Sequence, residues 1–237
     1  MSQLSSLLPA LQGHRVVVIG EAILDSYLHG RADRMSREAP VPIVELDGRT
    51  DAPGGAANTA VNIARLGGEA ILLSVVGADS EAERLRVGLA EGGVVAGGLL
   101  RRRDRTTLAK QRLIAGGQML VRFDTGSTHP VDAPTEDELI ARLADLHAEA
   151  DAIVVSDYGY GVLTDRVVTA LAELQRRRSV VLVVDARDLR RYTRVGATAV
   201  KPNYAEAVRL LGERELPDPG ARAAQVGAGG SSRDGAI

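Results

Sequence analysis

The amino-acid sequence predicts an α/β protein in which helices flank a doubly wound, mainly parallel sheet. Short β-rich runs alternate along the chain with amphipathic helical segments, and this alternation is typical of parallel sheets. Most of the runs are continuously apolar, as expected for strands buried on both faces. Ligands of such sheets bind beyond the carboxyl ends of the strands, so functional side chains are expected there.

Five strands and five helices follow from these patterns. The expected strands are residues 15–19, 70–76, 152–156, 180–185 and 197–201. The expected helices are residues 56–66, 80–91, 136–149, 165–177 and 204–211. Thr135 and Glu138 have the spacing of a capping box at the third helix. A chain of 237 residues, 45% of them hydrophobic, is long enough to bury one large core or two modest ones.

The segment PGGAANTAVNIARLG, residues 53–67, joins a pair of glycines to the first helix. Gly54 and Gly55 suit a loop whose N–H groups point at a ligand, because glycine permits positive φ and close approach to the backbone. Small residues at helical spacing predict a buried face, and Asn58 and Asn62 share another face. Asn is a poor helix former, so two of them indicate hydrogen bonding to a ligand. The alternative is a tight strand-to-helix turn without a ligand.

Further extended segments break the alternation of strands and helices. Residues 41–47, and residues 107–114 with 118–124 around a turn at Gly116 and Gly117, look like strands without intervening helices. Each is inserted after a core strand and before the next helix. A small second sheet built from them would project from the ligand end of the main sheet, where a lid belongs. The alternative is a set of antiparallel strands at an edge of the main sheet.

Composition and charge argue against several classes of partner. The formal net charge of −2 gives no global attraction to nucleic acid or to an anionic membrane, and the arginines between residues 101 and 105 are expected to form a solvated loop. The sequence contains no Cys, so neither disulfides nor thiolate metal sites are available. It has no leader pattern and no apolar stretch near the roughly 20 residues of a spanning helix. A cytoplasmic location is therefore expected.

Carboxylates follow three of the expected strands. Asp25 lies a few residues after the first, Asp157 follows the third, and Asp185 closes the fourth. In a parallel sheet they would gather along one edge, although each alone also fits a helix cap or a turn. The sequence KPNYAE, residues 201–206, places Asn203 and Glu206 at capping-box spacing. A Glu at a helix N-terminus near phosphates could instead hold Mg²⁺ through water.

Together, these motifs resemble the ribokinase-like, or PfkB-type, carbohydrate kinases over residues 16–212. The resemblance rests on residues 53–67, SREAPVPIVEL at 36–46, RTTLAKQRLI at 105–114, Arg122 with Asp124, SDYGYGVL at 156–163, and KPNYAE. They are most similar to the branch that phosphorylates D-glycero-D-manno-heptose 7-phosphate. The resemblance implies a ribokinase-like α/β fold with a β lid that often mediates dimerisation. It also implies phosphoryl transfer from Mg·ATP to a sugar hydroxyl.

The resemblance assigns residues to the acceptor sugar. The sugar-contacting positions of the family correspond to Asp25, Gly54, Gly55 and Asn58, and carboxylate and amide groups match vicinal hydroxyls. Lys110 and Arg112 alternate on one strand, so they share a face and could meet the phosphate of a sugar phosphate. A solvated strand face is the alternative. The substrate-binding set is completed by Arg122 and Asp157.

The resemblance also assigns the cofactors ATP and Mg²⁺. The expected cofactor-binding residues are Asp185, Arg187, Lys201, Asn203 and Glu206, with Glu206 ordering the metal. The sequence departs from the branch at Glu21, where Asp is common, and at residues 185–187, which read DAR in place of DPK. Arginine keeps the positive charge of lysine but presents a planar fork, so phosphate contact there would be altered.

The last departure concerns catalysis. Whole family members continue to a G-A-G-D motif, whose helix N-terminus stabilises the transferring phosphoryl group and whose Asp is the base. Residues 227–230 read GAGG and precede SSRDGAI, so no catalytic residue is assigned. Losing a general base typically costs about 10²–10⁴ in rate, so impaired transfer is expected. The alternative is a non-catalytic module that binds sugar phosphates or dimerises.

The resulting domain prediction is one kinase domain at residues 1–216 whose C-terminal part is incomplete. Its lid segments lie near residues 28–48 and 105–125, and a homodimer through the lid is expected. Residues 217–237 are rich in Gly, Ala, Pro and Ser, a composition that predicts a flexible or aberrant tail.

Overall fold

A computed structural model describes residues 8–212, which form two β-sheets and five α-helices after a 3₁₀ turn at Leu8–Leu11. The elements in chain order are β1 Arg15–Gly20, β2 Ala22–Met35, β3 Pro42–Gly55, α1 Ala56–Arg65, β4 Glu69–Gly77, α2 Ser80–Glu91, β5 Val95–Arg102, β6 Ala109–Ala115, β7 Gln118–Thr125, α3 Ala133–Glu149, β8 Ala152–Asp157, α4 Asp165–Arg177, β9 Val181–Ala186, β10 Ala199–Val200 and α5 Tyr204–Leu211. The predicted tail and the GAGG sequence lie outside the described residues.

The main sheet has the strand order β10-β9-β8-β1-β4-β5, and every neighbouring pair is parallel. Successive residues of β1 enter different cores because side chains alternate across a strand. Val17 and Ile19 pack with residues of α3 and α4, whereas Val18 packs with residues of α1 and α2. Helices therefore cover both faces, and the predicted doubly wound sheet is confirmed.

The remaining strands form a separate small sheet with the order β3-β2-β6-β7. The β2–β3 and β6–β7 pairs are antiparallel, and β2 pairs with β6 in parallel. The alternative prediction of strands at an edge of the main sheet is therefore wrong. The predicted lid segment near residues 28–48 overlaps β2, but the sequence did not indicate β2 as a strand, because its second half is polar and exposed on both faces. Pairing with β3 and β6 supplies the hydrogen bonds that hold it extended.

The edge strand β5 was also not predicted. Its two glycines are poor strand formers, but Gly98 is required by packing. A Cβ on Gly98 would lie 2.4 Å from the Leu72 carbonyl oxygen of β4. Glycine therefore lets β5 approach β4 closely. Within residues 8–212, no helix combines the length and apolar composition that a membrane crossing requires.

Two local predictions are wrong. The arginine cluster is not wholly a solvated loop, since Arg105 is buried and its guanidinium donates to the carbonyl oxygens of Ser127 and His129. These carbonyls need donors because they lie in a turn without a ladder partner. Helix α3 begins before the predicted capping box. Asp132 is its N-cap and accepts the Thr135 N–H at 3.1 Å.

Candidate functional site

The two sheets meet at the carboxyl edge of the main sheet, where most of the predicted site residues lie. Glu21 separates β1 from β2, so the chain passes directly from one sheet into the other. Asp157 ends β8, and Asp185 lies one residue before the end of β9. The neighbouring strands β8 and β9 therefore place these two carboxylates at one edge, whereas Asp25 lies in the adjoining small sheet.

The paired glycines end strand β3 and do not form a loop, which corrects the prediction. Gly54 pairs with Ile23 and Gly55 pairs with Ala22 of β2, so the ladder continues to the first residue of α1. Gly55 has a φ of 57°, which turns the chain into the helix. A Cβ on Gly54 would lie 2.2 Å from Asp25 Oδ2. The glycine therefore leaves room for the Asp25 carboxylate.

Charged groups line one face of the small sheet, which we call the charged face. Asp25, Lys110 and Asp124 are in register across β2, β6 and β7, and Tyr27, Arg112 and Arg122 form the next row. Lys110 and Arg112 therefore share a face, as their spacing predicted.

Contacts within the charged face orient its cations. The Arg112 guanidinium donates to Asp25 Oδ1 at 2.7 Å and lies 5.1 Å from the centroid of the Tyr27 ring. Lys110 Nζ lies 5.5 Å from the centroid of the Tyr158 ring. Arg122 at the outer strand is paired with Asp124 through two hydrogen bonds of 2.8 and 2.6 Å. Each of these three cations therefore contacts a defined side chain and remains partly exposed to solvent.

Asn58 lies in the first turn of α1, beside the glycine pair. Its side chain and that of Asn62 are exposed, while Ala57 and Ala60 are buried against the main sheet. The helix therefore has the two faces that the sequence predicted. Asn58 is the amide nearer the helix N-terminus, where backbone N–H groups have no intrahelical partner.

Asp157 is buried and already engaged. Its Oδ1 accepts the Gly159 N–H at 2.8 Å, and its Oδ2 accepts the Tyr192 hydroxyl at 2.6 Å and the Arg191 guanidinium at 3.0 Å. Burial raises the pKa of Tyr192, and the Asp157 charge raises it further, so this phenol remains protonated. The structure places Asp157 beneath the surface of the site; its predicted contact with the substrate stays a prediction.

The residues assigned to the nucleotide lie at the ends of β9 and β10 and at the start of α5. Lys201 Nζ is 2.9 Å from Asp185 Oδ2, and this hydrogen bond raises the pKa of Lys201. Arg187 donates to the Tyr158 carbonyl oxygen at 3.3 Å. A cavity of about 250 Å³ opens between α5 and residues 187–190, which directly follow β9. Its lining includes Arg187 and Glu206.

The capping box at α5 is present as its spacing predicted. Asn203 Oδ1 accepts the Glu206 N–H at 2.9 Å, and Glu206 Oε2 accepts the Asn203 N–H at 2.8 Å. Among residues 8–212, no three His, Asp or Glu side chains group together to enclose a metal. Mg²⁺ usually keeps several waters and takes one or two carboxylates together with substrate phosphates. A partly exposed carboxylate at a helix N-terminus, such as Glu206, fits that mode of binding.

Sequence reasoning assigned no role to Glu21 or Tyr158, two side chains that contact these groups. The centroid of the Tyr158 ring lies 5.5 Å from Lys110 Nζ, and burial together with the Asp185 charge raises the pKa of its hydroxyl. Glu21 is fully buried, and burial next to Asp157 raises its pKa to about 7. The available signal was a carboxylate flanked by Gly20 and Ala22 directly after a buried strand.

Comparison with known families and curated proteins is consistent with this geometry. A family model described as pfkB family carbohydrate kinase matches residues 14–231. A protein named Bifunctional protein HldE from Gluconobacter oxydans (strain 621H) is 38% identical over 199 residues, which are 84% of this chain and 42% of that protein. The protein of the same name from Citrifermentans bemidjiense is 40% identical over 195 residues. The chain spans about two fifths of the length of these curated relatives.

Solved structures share the fold. Arabidopsis thaliana ribokinase, solved with ribose and ATP, superposes with a TM-score of 0.63 at 15% identity over 92% of this chain and 70% of that one. The tetrameric inhibited form of Escherichia coli phosphofructokinase-2 gives a TM-score of 0.67 at 22% identity over 91% and 71%. These neighbours establish a ribokinase-like fold. With the family match covering most of the sequence, the chain belongs to the pfkB family of carbohydrate kinases.

Proposed function

We propose that this chain carries the acceptor and nucleotide sites of a kinase that transfers a phosphoryl group from ATP to a hydroxyl of a sugar phosphate. The observation that carries the proposal is the junction of the two sheets. There the centroid of the Tyr158 ring lies 5.5 Å from Lys110 Nζ of the charged face, and the Tyr158 carbonyl oxygen accepts a hydrogen bond from Arg187 at 3.3 Å. Three charges also lie close enough to affect the pKa of the Tyr158 hydroxyl, those of Asp25, Asp185 and Lys201. Membership of the carbohydrate kinase family supports the same reading.

The residues proposed to bind the acceptor favour a sugar that already carries a phosphate. Asp25 and Asn58 offer hydrogen-bonding groups for hydroxyls beside the glycine pair. Lys110 and Arg112 add two cations on one face, and Arg112 is held by Asp25 before any ligand arrives. A guanidinium fixed in this way loses less conformational entropy when it binds phosphate. The favoured acceptor, D-glycero-D-manno-heptose 7-phosphate, rests on the sequence resemblance to that branch.

The donor half uses groups at the ends of β9 and β10. Arg187 supplies positive charge to the wall of the cavity, and Lys201 supplies a further cation just after β10. Glu206 would bind Mg²⁺ through water at the start of α5. Bound Mg²⁺ would neutralise charge on the phosphates of ATP. The Asn203–Glu206 capping box fixes the helix end that presents this carboxylate.

We further propose that the small sheet acts as a lid and joins two copies of the chain. Val121 and Phe123 lie in register with Leu113 and Gln111, so they point away from the charged face. Their side chains are 47% and 40% exposed. Adjacent exposed apolar residues on one sheet face are typical of protein contact surfaces.

The decisive experiment is calorimetry of the 237-residue chain with heptose 7-phosphate. We expect binding by the unaltered chain, and an affinity about tenfold lower in Asn58→Ala, which removes hydrogen bonds to the sugar. Asn62→Ala is the matched control, because Asn62 is exposed on the same face one turn further from the glycine pair and is not among the positions assigned to the sugar. It should bind as the unaltered chain does.

A coupled assay then separates the two functions that the sequence leaves open. Sugar phosphorylation with Mg·ATP above the sugar-independent ATPase rate supports a kinase. Binding of the sugar phosphate with neither transfer nor binding of Mg·ATP supports the non-catalytic module. Absence of binding to any sugar phosphate by the unaltered chain contradicts both.

A further inference from the structure

Glu21 is a buried carboxylate whose hydrogen-bond partners are backbone amides of one distant loop. Its Oε2 accepts the Tyr158 N–H at 2.7 Å, and its Oε1 accepts the N–H groups of Tyr160 and Val162 at 3.3 and 3.2 Å. Its relative exposure is 0%. The carboxylate therefore binds three alternate amides of residues 158–162, which we call the tyrosine loop.

The main chain of Glu21 makes two further connections. Its N–H donates to the Ser156 carbonyl oxygen of β8 at 3.3 Å, and its carbonyl oxygen accepts the N–H of Ala56, the first residue of α1, at 2.9 Å. A Cβ on Gly55 would lie 2.5 Å from that same carbonyl oxygen. One residue thus ties together the end of β8, the start of the Asn58 helix and the tyrosine loop.

The tyrosine loop needs an external anchor. Gly159 and Gly161 have φ values of 72° and 87°, and glycine gives an unfolded loop much conformational freedom. On one side, the loop packs against backbone, since a Cβ on Gly161 would lie 2.3 Å from the His129 carbonyl oxygen. The Arg105 guanidinium donates a hydrogen bond to the same carbonyl oxygen and fixes its position. Glu21 anchors the other side through three N–H groups, and Asp157 adds one hydrogen bond there, from the Gly159 N–H.

The tyrosine loop also positions Tyr158 next to the residues proposed to bind the ligand. The Tyr158 ring lies over Lys110 of the charged face, and the Tyr158 carbonyl oxygen accepts a hydrogen bond from Arg187 on the nucleotide side. A displacement of the loop would therefore alter both halves of the site at once. Glu21 itself lies beneath the loop and has no surface open to a ligand.

We propose that Glu21 is a positioning residue of the sugar-phosphate site, holding the tyrosine loop so that Tyr158 orients Lys110. The inference rests on the proposed function, because it assigns the oriented lysine to the sugar phosphate. The charged and titratable groups that face Glu21 are Asp157, Arg105 and Tyr192. None of these side chains hydrogen-bonds the carboxylate in the described part of the chain. The three loop amides are thus its hydrogen-bonding partners.

Hydrogen exchange of the 237-residue chain without ligand tests the anchor directly. In Glu21→Ala, the N–H groups of residues 158, 160 and 162 lose their acceptor, so we expect protection of these three amides to fall at least about tenfold. Gln175→Ala is the matched control, because Gln175 is also buried and accepts a backbone N–H, that of Val180, but lies near the opposite end of α4 from the loop. It should leave the loop unchanged. Equal protection of the loop in Glu21→Ala and in the unaltered chain overturns the proposal.

Calorimetry tests whether the tyrosine loop affects the affinity for the sugar phosphate. We expect heptose 7-phosphate to bind about tenfold more weakly to Glu21→Ala, with partial recovery in Glu21→Asp, which keeps the carboxylate one methylene shorter. Should Glu21→Ala fail to fold by circular dichroism, Glu21→Gln keeps the shape and is measured in its place. Unchanged affinity in the folded variant overturns the positioning role. Failure of the unaltered chain to bind sugar phosphates contradicts the proposed function instead, while the exchange result still reports on the anchor.

Discussion

Gly54 leaves no room for a side chain, because a Cβ there would lie 2.2 Å from Asp25 Oδ2 and 3.0 Å from Asp25 Cγ. Any larger residue must displace the Asp25 carboxylate. That carboxylate holds the Arg112 guanidinium at 2.7 Å, so the displacement would reach the charged face as well. The glycine is therefore required by a side chain of the site and not by a turn.

We accordingly expect Gly54→Ala to lower the affinity for heptose 7-phosphate at least about tenfold, since both Asp25 and Arg112 lose their positions. The measurement is calorimetry on the folded variant. Gly48→Ala is the control on the same strand, because its Cβ would meet His29 Cβ at an ordinary 3.7 Å. Equal affinities for the two variants would show that the Asp25 position does not matter for binding.

Single residues differ in how far sequence could predict them. The shared face of Lys110 and Arg112 follows from the two-residue period of a strand and needs no knowledge of the fold. The contact between Gly54 and Asp25 depends on the β2–β3 register, which joins residues far apart in the chain. The loop amides that bind Glu21 are more than 130 residues away from it. Such partners are set by topology, so local pattern could not reveal them.

At the scale of elements, burial decided which strands were predictable. Strand β4 is buried from its second residue onward and was predicted from its apolar run. Strand β7 is exposed along its whole length, yet its turn glycines indicated the hairpin. Strands β2 and β5 lacked both signals: β2 becomes polar halfway, and β5 contains two glycines. Their extended form is imposed by neighbouring strands, which is tertiary information.

The exposed face of the small sheet gives a prediction at this scale. We expect Val121→Ser with Phe123→Ser to shift the chain from dimer to monomer, because the substitutions remove the apolar surface that the proposed contact would bury. Sedimentation velocity at several concentrations measures the change. Val95→Ser with Val181→Ser is the control, since these two valines are 48% and 51% exposed outside the small sheet. A monomeric unaltered chain at all concentrations would contradict the proposed lid contact.

At the scale of the whole molecule, the two sheets are joined through a buried ionisable group. The chain leaves the main sheet at Gly20 and enters the small sheet at Ala22, with Glu21 between them. Burial and the nearby Asp157 charge oppose ionisation of Glu21, while the loop amides favour it. Burial has the larger effect, so the pKa rises from its ordinary value of 4.5 to about 7. Folding is therefore coupled to uptake of a proton by the Glu21 carboxylate.

The sign of the resulting pH dependence follows from linkage. Between pH 4.5 and 7 the folded chain binds a proton at Glu21 that the unfolded chain releases, so this contribution to stability is complete below pH 4.5 and is lost as the pH rises through 7. Buried His147 acts in the opposite sense, because its lowered pKa costs stability as the pH falls. Comparison with Glu21→Gln, which does not titrate, isolates the Glu21 contribution. We expect the free energy of unfolding of the unaltered chain, relative to that of Glu21→Gln, to fall by about 2 kcal/mol between pH 5 and pH 8. Urea denaturation at each pH measures this difference, and a difference that stays constant would show that Glu21 is ionised at low pH in the folded protein.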